Sequence, residues 1–230
     1  TPKPSSAASD VYKRQVYAIG EKATQAYEGA RERIASFIGA ENSSIIFTKG
    51  TTESINLVAY AWARNNLSSN DEILVTEMEH HSNLVPWQII SERTSSRLRY
   101  LPLEKNGTLD LSSIEMDLNE TGLLAMVHHS NVFGTINPIS KIVDLANSKG
   151  VLTLIDGAQA VPHFAVDISK IDCDFYVFSG HKMVGPTGVG VLIGRKTILE
   201  KMDPFLGGGE MINNVTMDKS TWKENPWKFE

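Results

Sequence analysis

"VLTLIDGAQAVPHFAVDISKIDCDFYVFSGHKMVGPTGVGVLIG", residues 151–194, contains three apolar runs, and two of them end abruptly in polar chemistry. "VLTLI" closes on Asp156, "DFYVF" closes on Ser179, Gly180, His181 and Lys182, and "GVGVLIG" follows a glycine-rich loop. Short apolar runs without polar alternation read as strands buried on both faces. Such strands belong to parallel sheets, in which ligands bind beyond the carboxyl ends of the strands. The residues that end each run are therefore the ones to question.

The same alternation extends towards the N-terminus. Ala23, Ala26, Tyr27, Ala30, Ile34, Phe37 and Ile38 recur at helical spacing and predict an amphipathic helix over 20–39. "SIIFT" reads as a strand, and "TTESINLVAYAWARNNL" as a mostly buried helix starting near Thr51. "EILVTEM" is a strand, followed by a helix near 82–94, then the strands "LRYLPL" and "GLLAMVHHS". Asn137 reads as an N-cap with Pro138 as the first helical residue. Ile139, Ile142, Val143 and Ala146 then line one face, and Gly150 stops the helix. Strands separated by helices predict an α/β fold, a mostly parallel sheet between helical layers.

The 230 residues suffice for one sizeable domain. Hydrophobic residues make up 41% and charged residues 21%, the balance of an ordinary globular chain. A net charge of −5 leaves no basic footprint for nucleic acid or an anionic membrane. No apolar run reaches the length of a bilayer span. The single cysteine, Cys173, excludes an internal disulfide and a multi-cysteine metal site, and a reducing cytoplasmic setting is the simplest reading. Residues 1–15, "TPKPSSAASDVYKRQ", are polar with no hydrophobic period and read as a disordered or foreign segment. Near the other end, Trp222, Trp227 and Phe229 require a surface to pack on.

Each strand-end group admits a plain reading and a chemical one. "KGTTES" offers hydroxyls and free N–H groups at a helix start, which suit a phosphate; alternatively Thr51 or Thr52 only caps the helix. Its spacing is not that of a Walker loop. Asp156 either caps the "GAQA" turn or pairs with a cationic ring nitrogen; a metal is the weaker choice, since no histidine–carboxylate cluster has ligand spacing. Lys182 either snorkels to solvent or serves as a reactive amine, and its neighbours Ser179, His181 and Asp156 favour the amine. His80 and His81 point different ways, so one of them can stack on a flat ligand. Asn131 and Gln159 are either turn amides or donors to a phenolate oxygen. Taken together these groups describe pyridoxal phosphate: a lysine for the aldehyde, an acid for the pyridine nitrogen, an imidazole to stack, amides for the phenolate and hydroxyls for the phosphate.

The stretches "GTTESINLVAYAW", "EMEHHSNLVPWQ", "HHSNVFGTINPI", "LIDGAQAVPH" and "DCDFYVFSGHKMVGPTGVGVL" resemble cysteine desulfurases of the SufS/CsdA group, class V aminotransferase-like enzymes of PLP fold type I. The resemblance runs from about Val16 onward, and "HHSN-VPWQ" favours this group over the NifS/IscS group. It implies the large, PLP-binding domain of that fold over 16–230 with a seven-stranded type of sheet, the C-terminal small domain not being present. It implies Lys182 as the Schiff-base lysine, Asp156 as the partner of the pyridinium, and His80 as the stacking ring, with His81 the alternative by one register. Asn131 and Gln159 are implied on the phenolate side. Thr51, Ser179 and His181 are implied at the phosphate, with Thr52 beside them.

The implied activity is conversion of L-cysteine to L-alanine, with sulfur leaving as an enzyme persulfide to an acceptor protein for iron–sulfur cluster assembly, in a homodimer. Cys173 does not match the family nucleophile, which lies in a C-terminal segment, and its apolar neighbours suggest an inert thiol. The expectation is therefore a chain that binds the cofactor without full turnover. A selenocysteine lyase or another class V relative would share this core. A non-catalytic phosphate-binding α/β module is the reading from another class, with "GPTGVGVLIG" as its feature. Those glycines lead into a strand rather than a helix, so the dinucleotide fingerprint does not fit.

Overall fold

The structure is a computed structural model that describes residues 6–41, 44–209 and 211–230. Its elements follow the order α1 (Ser6–Ile38), β1 (Ile45–Thr48), α2 (Thr51–Val58), a π-helical turn (Ala59–Ala63), α3 (Arg64–Asn66) and β2 (Glu72–Thr76). A 3₁₀ turn (His81–Asn83), α4 (Val85–Thr94), β3 (Arg97–Leu101), α5 (Ile114–Asp117) and β4 (Thr121–Val127) come next. Then come α6 (Ile139–Ser148), β5 (Leu152–Asp156), β6 (Phe175–Ser179), a 3₁₀ turn (Gly180–Met183), β7 (Gly190–Gly194) and α7 (Lys196–Leu199). A small hairpin of β8 (Ile212–Val215) and β9 (Ser220–Trp222) lies near the C-terminus.

Seven strands form one sheet in the order β1-β7-β6-β5-β4-β2-β3. The pairings from β3 through β2, β4 and β5 to β6 are parallel, and β7 runs antiparallel to both β6 and β1. The sheet is mostly parallel, as the apolar runs predict. Successive side chains of a strand point to opposite faces, and the core divides accordingly. Leu74, Leu124, Met126, Ile155, Tyr176 and Phe178 join a cluster with Ala35 and Ile38 of α1 and Ile142 and Val143 of α6. Ile73, Val75, Leu123, Ala125, Leu154, Phe175 and Val177 join a second cluster with Ile55 of α2, Trp87 and Ile90 of α4 and Leu199 of α7. Helices thus cover both faces, which is why the strands carry no polar alternation. Among the described residues no helix is long and apolar enough to cross a membrane.

Several expectations are corrected. α1 begins at Ser6, well before residue 20, because Ala, Lys, Arg and Gln sustain a helix by propensity where no apolar face demands one. Residues 6–15 of the segment read as disordered are therefore helical in backbone, and residues 1–5 lie outside the described residues. The inward stripe of α1 is Arg31, Ala35 and Ile38; Phe37 faces solvent. Asn137 does not cap α6, which starts at Ile139 with Pro138 in the cap position. The Asn137 amide turns inward and donates to the Val127 carbonyl at 2.7 Å, a stronger claim on a buried amide than a helix end. Phe229 is buried in the cluster beneath α2, whereas Trp222 and Trp227 remain exposed.

Candidate active site

The carboxyl ends of β4, β5 and β6 lie side by side. Val127 pairs in register with Asp156, and Asp156 with Val177. Whatever follows these residues must emerge on one edge of the sheet. Asn131, Asp156 with Gln159, and Ser179 with Lys182 do so.

Asp156 is buried at the end of β5, and its Oδ1 accepts the Ala158 N–H at 2.9 Å. The turn-capping reading is thus partly realised. Burial pushes its carboxyl pKa upward, and the Ala158 N–H and the charges of Lys182 and His80 act the other way. Lys182 and His80 therefore both lie within electrostatic reach of Asp156. His80 Nδ1 lies 2.7 Å from Ser82 Oγ and accepts the Ser82 N–H, which anchors an otherwise exposed ring.

Lys182 stands in the 3₁₀ turn that follows β6 directly. The turn is closed by Gly180 N–H donating to Val189 O at 2.8 Å and Gly185 N–H donating to Gly180 O at 2.9 Å. One strand residue before this turn, Ser179 Oγ lies 2.7 Å from Thr51 Oγ1 and accepts the Thr51 N–H at 2.8 Å. Thr51 is the first residue of α2 and Gly50 occupies the cap position, so neither Thr51 nor Thr52 caps the helix. Glu53 instead reaches back to the Lys49 N–H at 2.5 Å. The hydroxyl at the helix start is thereby joined to that of the lysine strand across 128 positions of sequence. Thr52 and His181 are exposed nearby in sequence, on α2 and on the lysine turn.

Asn131 opens the turn after β4, and Gln159 sits in the turn after Asp156. Gln159 O accepts from His129 Nδ1 at 3.1 Å and His163 Nδ1 at 2.5 Å, which fixes its backbone. The side-chain amides of Asn131 and Gln159 make no hydrogen bond to the described residues.

Two features escape the sequence reading. Glu79, immediately before His80, takes three hydrogen bonds on its carboxyl group. It also follows a strand end, so the search that found Asp156 could have found it. Tyr176 Oη lies 2.8 Å from His128 Nδ1 beneath the turn that follows Asp156, where a side chain on Gly157 would overlap the Tyr176 ring. Burial pushes the Tyr176 phenol well above its usual range and holds His128 down to about 4, so both stay neutral near neutral pH. A histidine on an apolar strand carried no signal for this role.

The sole cysteine, Cys173, is buried before β6, and burial pushes its thiol up to about 12. The inert thiol expected from its apolar neighbours agrees with this.

A buried acid and a lysine thus stand at the ends of parallel strands, with an imidazole within electrostatic reach and a hydroxyl-bearing helix start joined to the lysine strand. The chain belongs to the aminotransferase class-V family, whose model matches residues 5–230 and so begins before Val16. It is 52% identical over 219 residues to a probable cysteine desulfurase of Halalkalibacterium halodurans, covering 94% of this chain and 54% of that protein. It is 47% identical over 220 residues to a cysteine desulfurase of Haloferax volcanii, covering 94% of this chain and 52% of that one. Among solved structures, the cysteine desulfurase CsdA of Escherichia coli superposes with a TM-score of 0.88 at 41% identity, over 93% of this chain and 54% of that chain. The chain thus spans about half the length of the relatives it matches, and the fold expected from the resemblance is the fold observed.

Proposed function

We propose that this chain is the cofactor-binding core of a pyridoxal-phosphate-dependent cysteine desulfurase, which converts L-cysteine to L-alanine and carries the sulfur away as a persulfide. One observation carries the reading: buried Asp156 within electrostatic reach of both Lys182 and His80, beside the Thr51–Ser179 hydroxyl pair. The donor set fits the cofactor. A buried carboxylate needs a cationic partner, the amides of Asn131 and Gln159 are free to donate to an oxygen, and the helix start at Thr51 suits a phosphate.

Bound in this site, pyridoxal phosphate supplies an aldehyde carbon for amines and a ring that withdraws electrons from the substrate. Asp156 would hold a proton at the ring nitrogen, and the His80 imidazole would stack on the ring. Asn131 and Gln159 donate to the phenolate oxygen. Thr51, Ser179 and His181 bind the phosphate, with Thr52 beside them. Lys182 Nζ would be the amine that holds the cofactor and, when free, would move the proton at the substrate's α-carbon. Cys173 takes no part, since its thiol is buried and protonated.

The same reading carries a sulfur-acceptor protein, a homodimer and a cytoplasmic setting in iron–sulfur cluster assembly. Exposed Val132, Phe133 and Ile136 after β4 and exposed Val184 after the lysine turn support an interface close to the site. The test is spectroscopic. The chain incubated with pyridoxal phosphate should acquire an absorbance band near the visible edge that Lys182→Ala abolishes. A band unaffected by Lys182→Ala, or none at all, would refute the cofactor assignment. Sustained alanine production by this chain, abolished by Cys173→Ala, would refute the part given to Cys173.

A further inference from the structure

Glu79 lies in none of the roles described above, yet it is the most heavily bonded carboxyl near the site. Its Oε1 accepts from Thr76 Oγ1 at 2.5 Å and from the Val127 N–H at 2.9 Å. Its Oε2 accepts from Asn83 Nδ2 at 2.5 Å. Each donor belongs to a different part of the structure: Thr76 ends β2, Val127 ends β4, and Asn83 closes the 3₁₀ turn that His80 caps.

The backbone explains why a carboxylate is needed here. The ladder between β2 and β4 stops at Val75 and Ala125, while β2 stays paired with β3 through Thr76. The N–H of Val127 beyond it is buried and would lack a partner. Glu79 supplies the acceptor that β2 no longer provides. Val127 is also the residue paired with Asp156 on the other side. The Glu79 carboxyl is therefore attached, through one strand residue, to the position of Asp156.

Its other oxygen is attached to the position of His80. Asn83 N–H donates to His80 O at 2.8 Å, and Asn83 Oδ1 accepts from Trp87 Nε1 at 3.0 Å, so the Asn83 side chain is held in one orientation by α4. Burial pushes the Glu79 carboxyl up to about 8 despite its three donors, and the nearby charge of Asp156 adds to the rise. Glu79 and Asp156 thus lie within electrostatic reach of each other.

We infer that Glu79 is a positioning residue that sets the His80 ring at a fixed place relative to Asp156, by tying the His80 turn to the end of β4. The inference rests on the cofactor reading only for its consequence; the tie itself exists in the ligand-free chain. Without Glu79 the 80–83 turn loses its anchor and the His80 ring samples more than one position, so a flat ligand between His80 and Asp156 is held less tightly.

The test uses Glu79→Ala and Glu79→Gln in the whole chain, with His80→Ala and the Glu79→Ala/His80→Ala double variant. The first readout needs no cofactor: the imidazole resonances of His80 in histidine-labelled protein. We expect them to shift and broaden in Glu79→Ala while the His163 resonances stay in place. The second readout is pyridoxal phosphate binding, followed by absorbance and visible circular dichroism. We expect about tenfold weaker binding and a reduced dichroic band in Glu79→Ala. The double variant should bind no more weakly than His80→Ala alone. Glu79→Gln keeps one acceptor for Val127, opposes Asn83 with a second amide, and should lie between wild type and Glu79→Ala; it serves if Glu79→Ala does not fold. An unmoved His80 resonance in both Glu79 variants overturns the inference, as do additive losses in the double variant. A shifted His80 resonance in a chain that never binds pyridoxal phosphate upholds the tie and refutes the cofactor reading instead.

Discussion

Gly190 packs directly against Gly50. A Cβ placed on Gly190 would lie 2.6 Å from the Gly50 carbonyl carbon, far inside van der Waals contact. Gly190 opens β7 and pairs on one side with Thr48 and on the other with Ser179. The absence of a side chain there lets the turn into α2 approach the end of β6, and that approach brings Thr51 to Ser179. The glycines after Lys182 thus serve the closeness of two strand ends as well as the turn itself.

Gly190→Ala should separate the two hydroxyls. Inserting one methyl into a packed contact with backbone costs about 1–3 kcal/mol, and here the movable part is the Gly50–Thr51 turn. We expect a lower denaturation midpoint and a several-fold loss of pyridoxal phosphate affinity. Gly188→Ala is the comparison for stability alone: Gly188 has positive φ, but a methyl group added there would meet open space. A Gly190→Ala protein with unaltered affinity would show that the Thr51–Ser179 contact does not bind the phosphate.

The acid-side stability of the chain should depend on His128. Its pKa is held down to about 4 by burial and by the neighbouring His129, against about 6.5 when unfolded. Between these values the unfolded chain binds a proton that the folded chain refuses, so stability is full above about pH 6.5 and is lost as pH falls towards 4. Such a shift is worth at most about 3 kcal/mol, and partial exposure of His128 brings it to about 2 kcal/mol. Raised carboxyls such as Glu79 act in the opposite sense, losing stability as pH rises through about 8. His128→Asn keeps an acceptor for Tyr176 without titrating, so its urea midpoint should vary less than that of wild type between pH 6.5 and 4. Parallel curves would remove His128 from the account.

Much of this arrangement was legible in the chain itself, for reasons that can be stated. β5 and β6 announce themselves because strands buried on both faces cannot afford polar alternation, and Asp156 and Lys182 stand out as charges where such runs stop. The residues that escaped are those whose partners come from far away in sequence. Arg31 sits at an inward position of α1, where periodicity alone predicts an apolar residue, because Glu230 meets it 199 positions later. Glu79 is legible as a strand-end acid, but its function depends on where β2 leaves β4. Asn137 is a different case: its cap signal is local, but the Val127 carbonyl at the end of β4, ten positions earlier, captures its amide.

Cys173 should behave as an unreactive thiol. With its pKa pushed up to about 12, the thiolate fraction at pH 8 is about 10⁻⁴. Ellman's reagent should label the native chain at least ~100-fold more slowly than the urea-unfolded chain. Cys173→Ala should leave pyridoxal phosphate binding unaltered. Rapid labelling of the native protein would contradict the burial assigned to this residue.

The C-terminal segment should be held by Arg31. Its guanidinium is buried, donates to both oxygens of Glu230 at 2.8 and 2.7 Å, donates to Ile45 O at 2.6 Å, and stacks on the rings of Tyr27 and Phe47. Glu230 also accepts the Phe47 N–H of β1 at 2.6 Å and the Tyr27 hydroxyl at 3.0 Å. Removing one partner of a buried pair leaves the other charge uncompensated, at a cost on the order of 3 kcal/mol. Glu230→Ala should lower unfolding free energy by about that amount in urea titrations, whereas Glu28→Ala, which removes only the half-exposed partner of Arg31, should cost less than about 1 kcal/mol. Replacing the pair together, as Arg31→Met with Glu230→Leu, should recover about half of the loss, because neither charge then needs compensation. If Glu230→Ala and Glu28→Ala cost the same, the buried geometry around Arg31 is not what joins the C-terminal segment to α1 and β1.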